Sequence, residues 1–297
     1  MPELPEVETV TRGLRELALG LSVKTVDVRH TGVIVGSCEA FAENLRGRRI
    51  QSVSRQGKVL MVELARDGDP ARYLVIRLGM TGQLTIQPRE APLEPHTHVR
   101  LVLDEGEKEL RFRDVRRFGN LRCLDSRELA NFLARLGPDA QRATAEGFLA
   151  AMRGRRGAIK SWLMNQQALA GLGNIYADEA LFEARIHPLS QPGRVAPRKA
   201  LALYRAVQRV LARAVAKQGT SFRDYLDIEG RPGRFAMQLK VYQRADEPCR
   251  RCRAEIRRIV IGGRSSHFCP HCQPRPRHVA KMRGPRASAH ARAAASR

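Results

Sequence analysis

The sequence predicts an α+β protein built of parts in series: one helix, an all-β region, an all-helical region and a cysteine module. Three observations carry this. Residues 5–17 place Val7, Val10, Leu14 and Leu17 at spacings of three and four, the period of an amphipathic helix. Between 22 and 124, short apolar or alternating runs recur between Gly, Pro and Asp, as in a β-sandwich or barrel. After Asp125 the helical period returns, and two close cysteine pairs follow it.

The 297 residues suffice for two domains, each with its own core. A hydrophobic content of 43% without a long apolar run predicts a soluble protein, and the acidic amino terminus is unlike a signal peptide. Fifty-three Lys and Arg against 30 Asp and Glu give +23, which points to a polyanionic partner. No basic amphipathic helix with a bulky apolar face offers itself to a membrane. Six cysteines without a secretory signal predict a reduced cytosolic protein with one metal site, Cys38 and Cys123 standing alone in strand-like surroundings.

Taken in order, the first helix has Pro5 at its start, Glu3, Glu6 and Glu8 at the positive end of its dipole, and Gly20 to close it. Strands are expected at 23–28, 59–64, 73–78, 99–103, 109–113 and 121–124, with Asp104-Glu105-Gly106 as a turn, completing a first domain of residues 1–125. Ser126 caps a helix running to Leu136, stopped by Gly137-Pro138. Further helices at 144–153, 157–166, 174–184 and 197–217 complete a second domain, 126–218. Residues 219–248 lack periodicity and read as loop and linker, and 249–273 form the cysteine module. Residues 274–297 hold seven Arg or Lys and no acid, which reads as a disordered basic tail. Such a tail either adds non-specific DNA affinity or is a solvated appendage.

The chemistry begins at Met1-Pro2-Glu3. Trimming of Met1 before the small Pro2 leaves a secondary amine beside a carboxylate. A terminal amine titrates near about 8, so much more of it is free base at neutral pH than of an ordinary Lys. Attack of an amine on a carbonyl carbon gives a Schiff base, which from proline is a charged iminium. Helix-start chemistry explains Pro5 and the acids but gives no reason for Pro2.

Cys249-Arg250-Arg251-Cys252, sixteen residues, then Cys269-Pro270-His271-Cys272 supplies four thiolates for one tetrahedral zinc. A closed four-sulfur site is structural, and disulfides are disfavoured by the cytosolic context. Between the pairs, Arg257 to Arg264 reads as a β-hairpin whose Gly262-Gly263 tip carries arginine, suited to a DNA groove. Zinc ribbons also serve as plain protein contacts. Lys58 lies at a turn, where a lysine is ordinarily just solvated. Met80, flanked by Gly79 and Gly82, is either a wedge for a base stack or core. Arg116-Arg117-Phe118-Gly119 offers cations and a ring for phosphate, base-edge and stacking contacts. Gly171-Leu172-Gly173 leads to Asn174 as the natural N-cap, with outward amides that suit a phosphate. Arg153, Arg155, Arg156 and Lys160 extend the positive surface ahead of it.

Together these pieces resemble the formamidopyrimidine-DNA glycosylases over roughly residues 1–273. The matching motifs are Pro-Glu-Leu-Pro-Glu-Val-Glu-Thr from Pro2, Gly57-Lys58, Leu78-Gly79-Met80 and His96-Thr97-His98. Arg116 to Gly119, Gly173-Asn174-Ile175-Tyr176-Ala177 and Tyr242 before the cysteines complete them. The resemblance implies an amino-terminal helix on a β-sandwich, a helix-two-turn-helix domain and a zinc finger. It implies that Pro2 attacks the sugar C1′ of a nucleotide whose base is flipped out. Glu3 is then the acid/base that protonates the opening sugar, while Lys58 and Arg264 assist the first and second strand cleavages, a β,δ-elimination. Met80, Arg116 and Phe118 fill the vacated stack, Arg116 also reading the orphaned cytosine, with Arg117 as a further DNA contact. His96, Arg155, Lys160 and Asn174 hold phosphates, and residues 219–226, with Thr220, Ser221, Phe222 and Arg223, form the base-recognition loop. The implied partner is duplex DNA with a damaged base, 8-oxoguanine or a formamidopyrimidine, opposite cytosine. The enzyme is expected to act as a monomer in the cytoplasm, at the nucleoid while working.

Val115 stands where proline often precedes the Arg pair, and the tail after Gln273 exceeds the usual end. The endonuclease VIII type, which takes oxidised pyrimidines, typically begins Pro-Glu-Gly, whereas Leu4 and Val7-Glu8-Thr9 favour the purine branch. A non-catalytic zinc-ribbon DNA binder would have no use for Pro2, Glu3 and Lys58.

Overall fold

The computed structural model describes residues 2–104, 107–221 and 225–276. The first helix, α1 (Leu4–Ala18), turns Val7, Val10 and Leu14 inward, and Gly20 follows its end with φ +85°. Residues 22–124 fold as two antiparallel four-stranded sheets that share one core with α1. One sheet orders β1 (Val23–Val28), β6 (Thr97–Leu103), β7 (Lys108–Asp114) and β5 (Gly82–Pro88) side by side. The other orders β2 (Arg49–Gln56), β3 (Val59–Ala65), β4 (Arg72–Arg77) and β8 (Asn120–Leu124). The sheets meet through Leu60, Leu74, Ile76, Leu84, Leu101, Leu110 and Phe112, so the architecture is the sandwich and not a closed barrel.

Three elements in this region go beyond the sequence reading. β2 and β5 carry few apolar residues; Ile50 and Val53 in the one, and Leu84 and Ile86 in the other, are interleaved with Gln, Ser and Thr. Cys38, expected in strand-like surroundings, opens a helix, α2 (Cys38–Leu45), whose N-cap is Ser37. Its buried face is only Phe41 and Leu45, too short a pattern to show a period.

The helical region holds α3 (Ser126–Leu133), α4 (Ala145–Met152), α5 (Ile159–Met164), α6 (Asn174–Glu183) and α7 (Pro197–Ala216). Two expected caps move by one residue. Asp125, not Ser126, caps α3: it accepts the Glu128 N–H while Glu128 accepts its own, a reciprocal box that serine forfeits to the longer-reaching acid pair. α3 also stops at Leu133, and Leu136 lies beyond it, packed on the outer face of β3 and β4. Gly173, not Asn174, is the N-cap of α6. β9 (Arg257–Ile261) and β10 (Arg264–Phe268) form the expected hairpin around Gly262-Gly263, both with positive φ. Among the described residues no helix is long and apolar enough to cross a membrane. Phe222, Arg223, the turn at Glu105-Gly106 and the tail from Arg277 lie outside the described residues.

Candidate functional site

Residues far apart in the chain converge on the amino-terminal peptide. Pro2 and Glu3 are buried where α1 meets the start of α6. The Leu4 N–H donates to the Gly171 carbonyl at 3.1 Å, fixing the peptide against the glycine turn. Glu3 then accepts the Gly173 N–H at 2.6 Å and the Ile175 N–H at 3.0 Å. Those are the orphan amides at the amino end of a ten-residue helix, and Glu3 supplies the acceptor that the helix start lacks. The amides expected to face a phosphate are thus taken by Glu3.

Lys58 arrives from the β2–β3 turn. A Cβ on Gly173 would stand 2.4 Å from the Glu3 Cδ and 2.6 Å from the Lys58 Nζ, so glycine is what lets both groups close over this backbone. Gly57, with φ +57°, is needed for a second reason: a Cβ there would stand 2.7 Å from the Ala170 Cβ. The turn is held by buried Arg55, which donates to Glu8, the Gly57 carbonyl, Asp139 and Gln141. Burial pushes the Lys58 ammonium below the usual lysine range despite the nearby carboxylate of Glu3, with Arg264 adding to the push. Lys58 therefore gives up a proton more readily than a solvated lysine.

Glu6 went unremarked in the sequence except as a helix-dipole acid, yet it is fully buried behind this peptide. Its carboxylate accepts the Glu3 N–H at 2.8 Å, the Thr220 N–H at 2.7 Å and the Tyr176 hydroxyl. Tyr225 also reaches the Glu6 carbonyl at 3.3 Å, so both ends of the 219–226 loop are tied to α1. Burial, then Glu3, raises the Glu6 carboxyl to about 6, against hydrogen bonds that favour the anion. From its ordinary 4.5 to about 6 the folded chain holds this proton more tightly than the unfolded chain. Stability is therefore expected to fall by about 2 kcal/mol as pH rises through that window. Urea unfolding at both ends of the window should show the drop, and Glu6→Gln should flatten it. An unchanged drop in the variant would assign it to another group.

Elsewhere on the sandwich, two loops meet in an exposed edge. Asp114, itself buried, accepts from Thr81, the Arg116 N–H at 3.2 Å and the Gly119 N–H at 2.7 Å. It thereby locks the Met80 turn to the 115–119 loop. On that edge Phe118 is 55% exposed, and the Arg116 guanidinium lies 4.6 Å over its ring. Met80 is half-buried beside them. An aromatic left this open is not core, which favours the stacking role for Phe118 over the packing one. Arg117, with φ +53°, turns to the His30 ring at 2.6 Å, and His96 is exposed with φ +66°.

Lys160 departs from expectation. It is 1% exposed, 2.7 Å from the Asp178 carboxylate, and donates to the Ser265 carbonyl at 2.6 Å. Asp178 also accepts the His267 N–H at 2.9 Å, so the lysine fastens the hairpin to α6 and offers no phosphate contact. The adjacent Glu179 accepts the N–H groups of Lys240, Val241 and Tyr242 and so anchors the approach to the cysteine module. A signal for both acids existed: Asp178 and Glu179 are flanked by Ile175 to Ala177 and Ala180 to Phe182, and acids buried among such residues require partners. Arg155 remains exposed, and Asn174 is partly buried next to Tyr242.

Arg264 stands exposed at the hairpin tip, close enough to Lys58 to influence its proton. The Sγ atoms of Cys249, Cys252, Cys269 and Cys272 all lie within 4.8 Å of one another. Cys252 is 3.4 Å from Cys269 and 3.5 Å from Cys272, far beyond a disulfide bond. A tetrahedral zinc with bonds of about 2.3 Å separates its sulfurs by roughly 3.8 Å, so the four thiols fit that ion.

Comparison with known proteins agrees with this geometry. The family model for the formamidopyrimidine-DNA glycosylase N-terminal domain matches residues 1–121, that for the H2TH domain of the same glycosylases matches 136–225, and that for the zinc finger found in FPG and IleRS matches 246–275. The formamidopyrimidine-DNA glycosylase of Solibacter usitatus is 43% identical over 277 residues, 93% of this chain and all of that protein. Two solved structures of Lactococcus lactis Fpg superpose with a TM-score of 0.85 at 32% identity, covering 92% of this chain and all of theirs. One holds DNA with an abasic site and the other DNA with N7-benzyl-Fapy-dG.

Proposed function

The chain belongs to the formamidopyrimidine-DNA glycosylase family, and from that premise we propose that it is a bifunctional repair enzyme. It excises oxidised purines, 8-oxoguanine and formamidopyrimidines, from duplex DNA and then cleaves the abasic site. The observation that carries this is the meeting of Glu3, Lys58 and the α6 amides at the buried peptide that begins with Pro2. The Pro2 amine forms a bond to C1′ as the glycosidic bond breaks, and the proton that the nitrogen sheds on becoming tertiary leaves with the base. Glu3 delivers a proton to the ring oxygen, the sugar opens, and the nitrogen lone pair completes an iminium. Loss of a proton from C2′ expels the 3′-phosphate, a second elimination expels the 5′-phosphate, and Lys58 and Arg264 serve these steps. The Met80, Arg116 and Phe118 edge fills the gap left by the flipped nucleotide. Arg155, Arg117 and His96, all exposed, meet phosphates in this reading, and Asn174 meets one at the mouth of α6. Nicking of a duplex with an abasic site, absent with undamaged duplex, tests the reading as a whole.

The four cysteines hold one structural zinc, which stiffens the module that presents Arg264. Chelation is expected to abolish DNA binding while leaving the circular dichroism of the β-sandwich largely intact. Active protein without zinc on elemental analysis would overturn the assignment. Arg116→Ala is expected to weaken the preference for cytosine over adenine opposite the lesion by about 1–3 kcal/mol. A uniform loss over all four opposite bases would instead make Arg116 a phosphate contact.

A further inference from the structure

Nothing in the sequence singles out His30, yet it meets the exposed edge that carries Arg116 and Phe118. It follows β1 and caps a short 3-10 turn at Thr31–Val33, where its Nδ1 faces the Gly32 N–H at 3.0 Å. Its Nε2 faces the Arg117 Nη1 at 2.6 Å. A guanidinium only donates, so the imidazole nitrogen accepts there. On another side the ring packs edge-on to His98, their centroids 5.2 Å apart. His98 is buried and donates from Nε2 to the Asp114 carbonyl at 2.8 Å, which fixes its own ring. Gly32 leaves as little play: a Cβ there would stand 2.9 Å from the His30 Cε1. The imidazole is thus held by the turn, by His98 and by Arg117.

Two N–H donors therefore face one ring. A neutral imidazole has one lone pair for such a bond, so only one donor is served at a time. The bond from the guanidinium is the shorter and is charge-assisted, which makes it the stronger. The Gly32 N–H lies in an exposed turn, where water can take it. Nδ1 therefore carries the ring proton, and Nε2 serves Arg117. Arg117 in turn sits at φ +53°, a backbone state that costs an L-residue energy. Its side chain is exposed, and among the described residues no carboxylate pairs with it. Core packing does not account for that strain.

We infer that His30 is a positioning residue for Arg117, setting its guanidinium for the phosphodiester backbone of the lesion duplex. The inference rests on the phosphate role given to Arg117 above. A neutral ring suits this task better than a carboxylate, because it takes one N–H and leaves the positive charge whole. The remaining N–H groups stay open for a two-pronged grip on a phosphate. Asp114 seats His98 through its carbonyl and the Arg116 loop through its carboxylate. The phosphate contact and the stacking edge thus share one support.

Two amide replacements separate the ring nitrogens. In His30→Gln the side-chain oxygen reaches the place of Nε2 and still accepts from Arg117. In His30→Asn it reaches only the place of Nδ1, which serves Gly32. The readout is steady-state nicking of an abasic duplex by the full-length protein. H30N is expected to raise KM by about 2- to 10-fold, the usual cost of ordering one long side chain on binding, with kcat unchanged. H30Q should bring KM back to near the wild-type value. In an R117Q background neither change should move KM further. The opposite ranking, with H30N silent and H30Q impaired, would make His30 a turn cap only and overturn the inference. A lower KM in H30N would also overturn it, since His30 would then hold Arg117 away from DNA. So would a KM that R117Q leaves unmoved, or an H30N effect that persists without Arg117. If wild type itself fails to nick the duplex, the glycosylase reading falls. Equilibrium binding of an abasic-analogue duplex by the same variants then decides the role of His30, with the same ranking expected.

Discussion

With Met1 retained, or a tag placed before Pro2, borohydride is expected to trap no covalent complex with an abasic duplex, and excision should fall to background. The reason is electronic: an amide nitrogen has no lone pair to offer C1′, whereas the processed proline is a free secondary amine. In the processed protein, reduction of the iminium should leave a permanent crosslink that maps to the peptide beginning at Pro2. Pro2→Gly keeps a terminal amine and should retain some trapping with altered chemistry. Mapping of the crosslink to Lys58 would show that the turn lysine, whose ammonium burial makes easier to deprotonate, is the attacking group.

The second large effect belongs to Glu3→Gln. The isostere keeps an oxygen for the Gly173 and Ile175 amides, so the seat of the amino terminus should survive. It cannot deliver a proton to the sugar. General acid–base help is worth about 10²–10⁴-fold, and base excision should fall by that range. Cleavage of a pre-formed abasic site should persist, since the glycosidic bond is already gone. Equal losses on both substrates would mean that Glu3 only positions Pro2 through α6.

Much of this was legible beforehand, and the failures have physical causes. The helix at residues 4–18, the hairpin with Arg264 and the cysteine cluster were readable because each follows a local rule of period, turn chemistry or ligand spacing. Lys160 was misread because a lysine among arginines looks solvated, and its partner Asp178 lies eighteen positions on in another helix. Glu6 was overlooked because its acceptor role depends on Thr220 and Tyr176, which only the tertiary fold brings near. Asn174 lost its cap to Gly173 because Glu3, from the opposite end of the sequence, supplied the acceptor that the helix start required.

The ties of the amino terminus also bear on when the enzyme becomes active during synthesis. Glu3 bonds to Gly173 and Ile175, and Glu6 to Thr220, spans of 170 to 214 residues. Contacts so distant in sequence carry the largest loop-closure cost and form late. A ribosome-bound chain can fold its sandwich while Pro2 and Glu3 still hang free, with no seat. The same long closures make the centre the last part to assemble on refolding, so recovery of activity should lag recovery of β-structure.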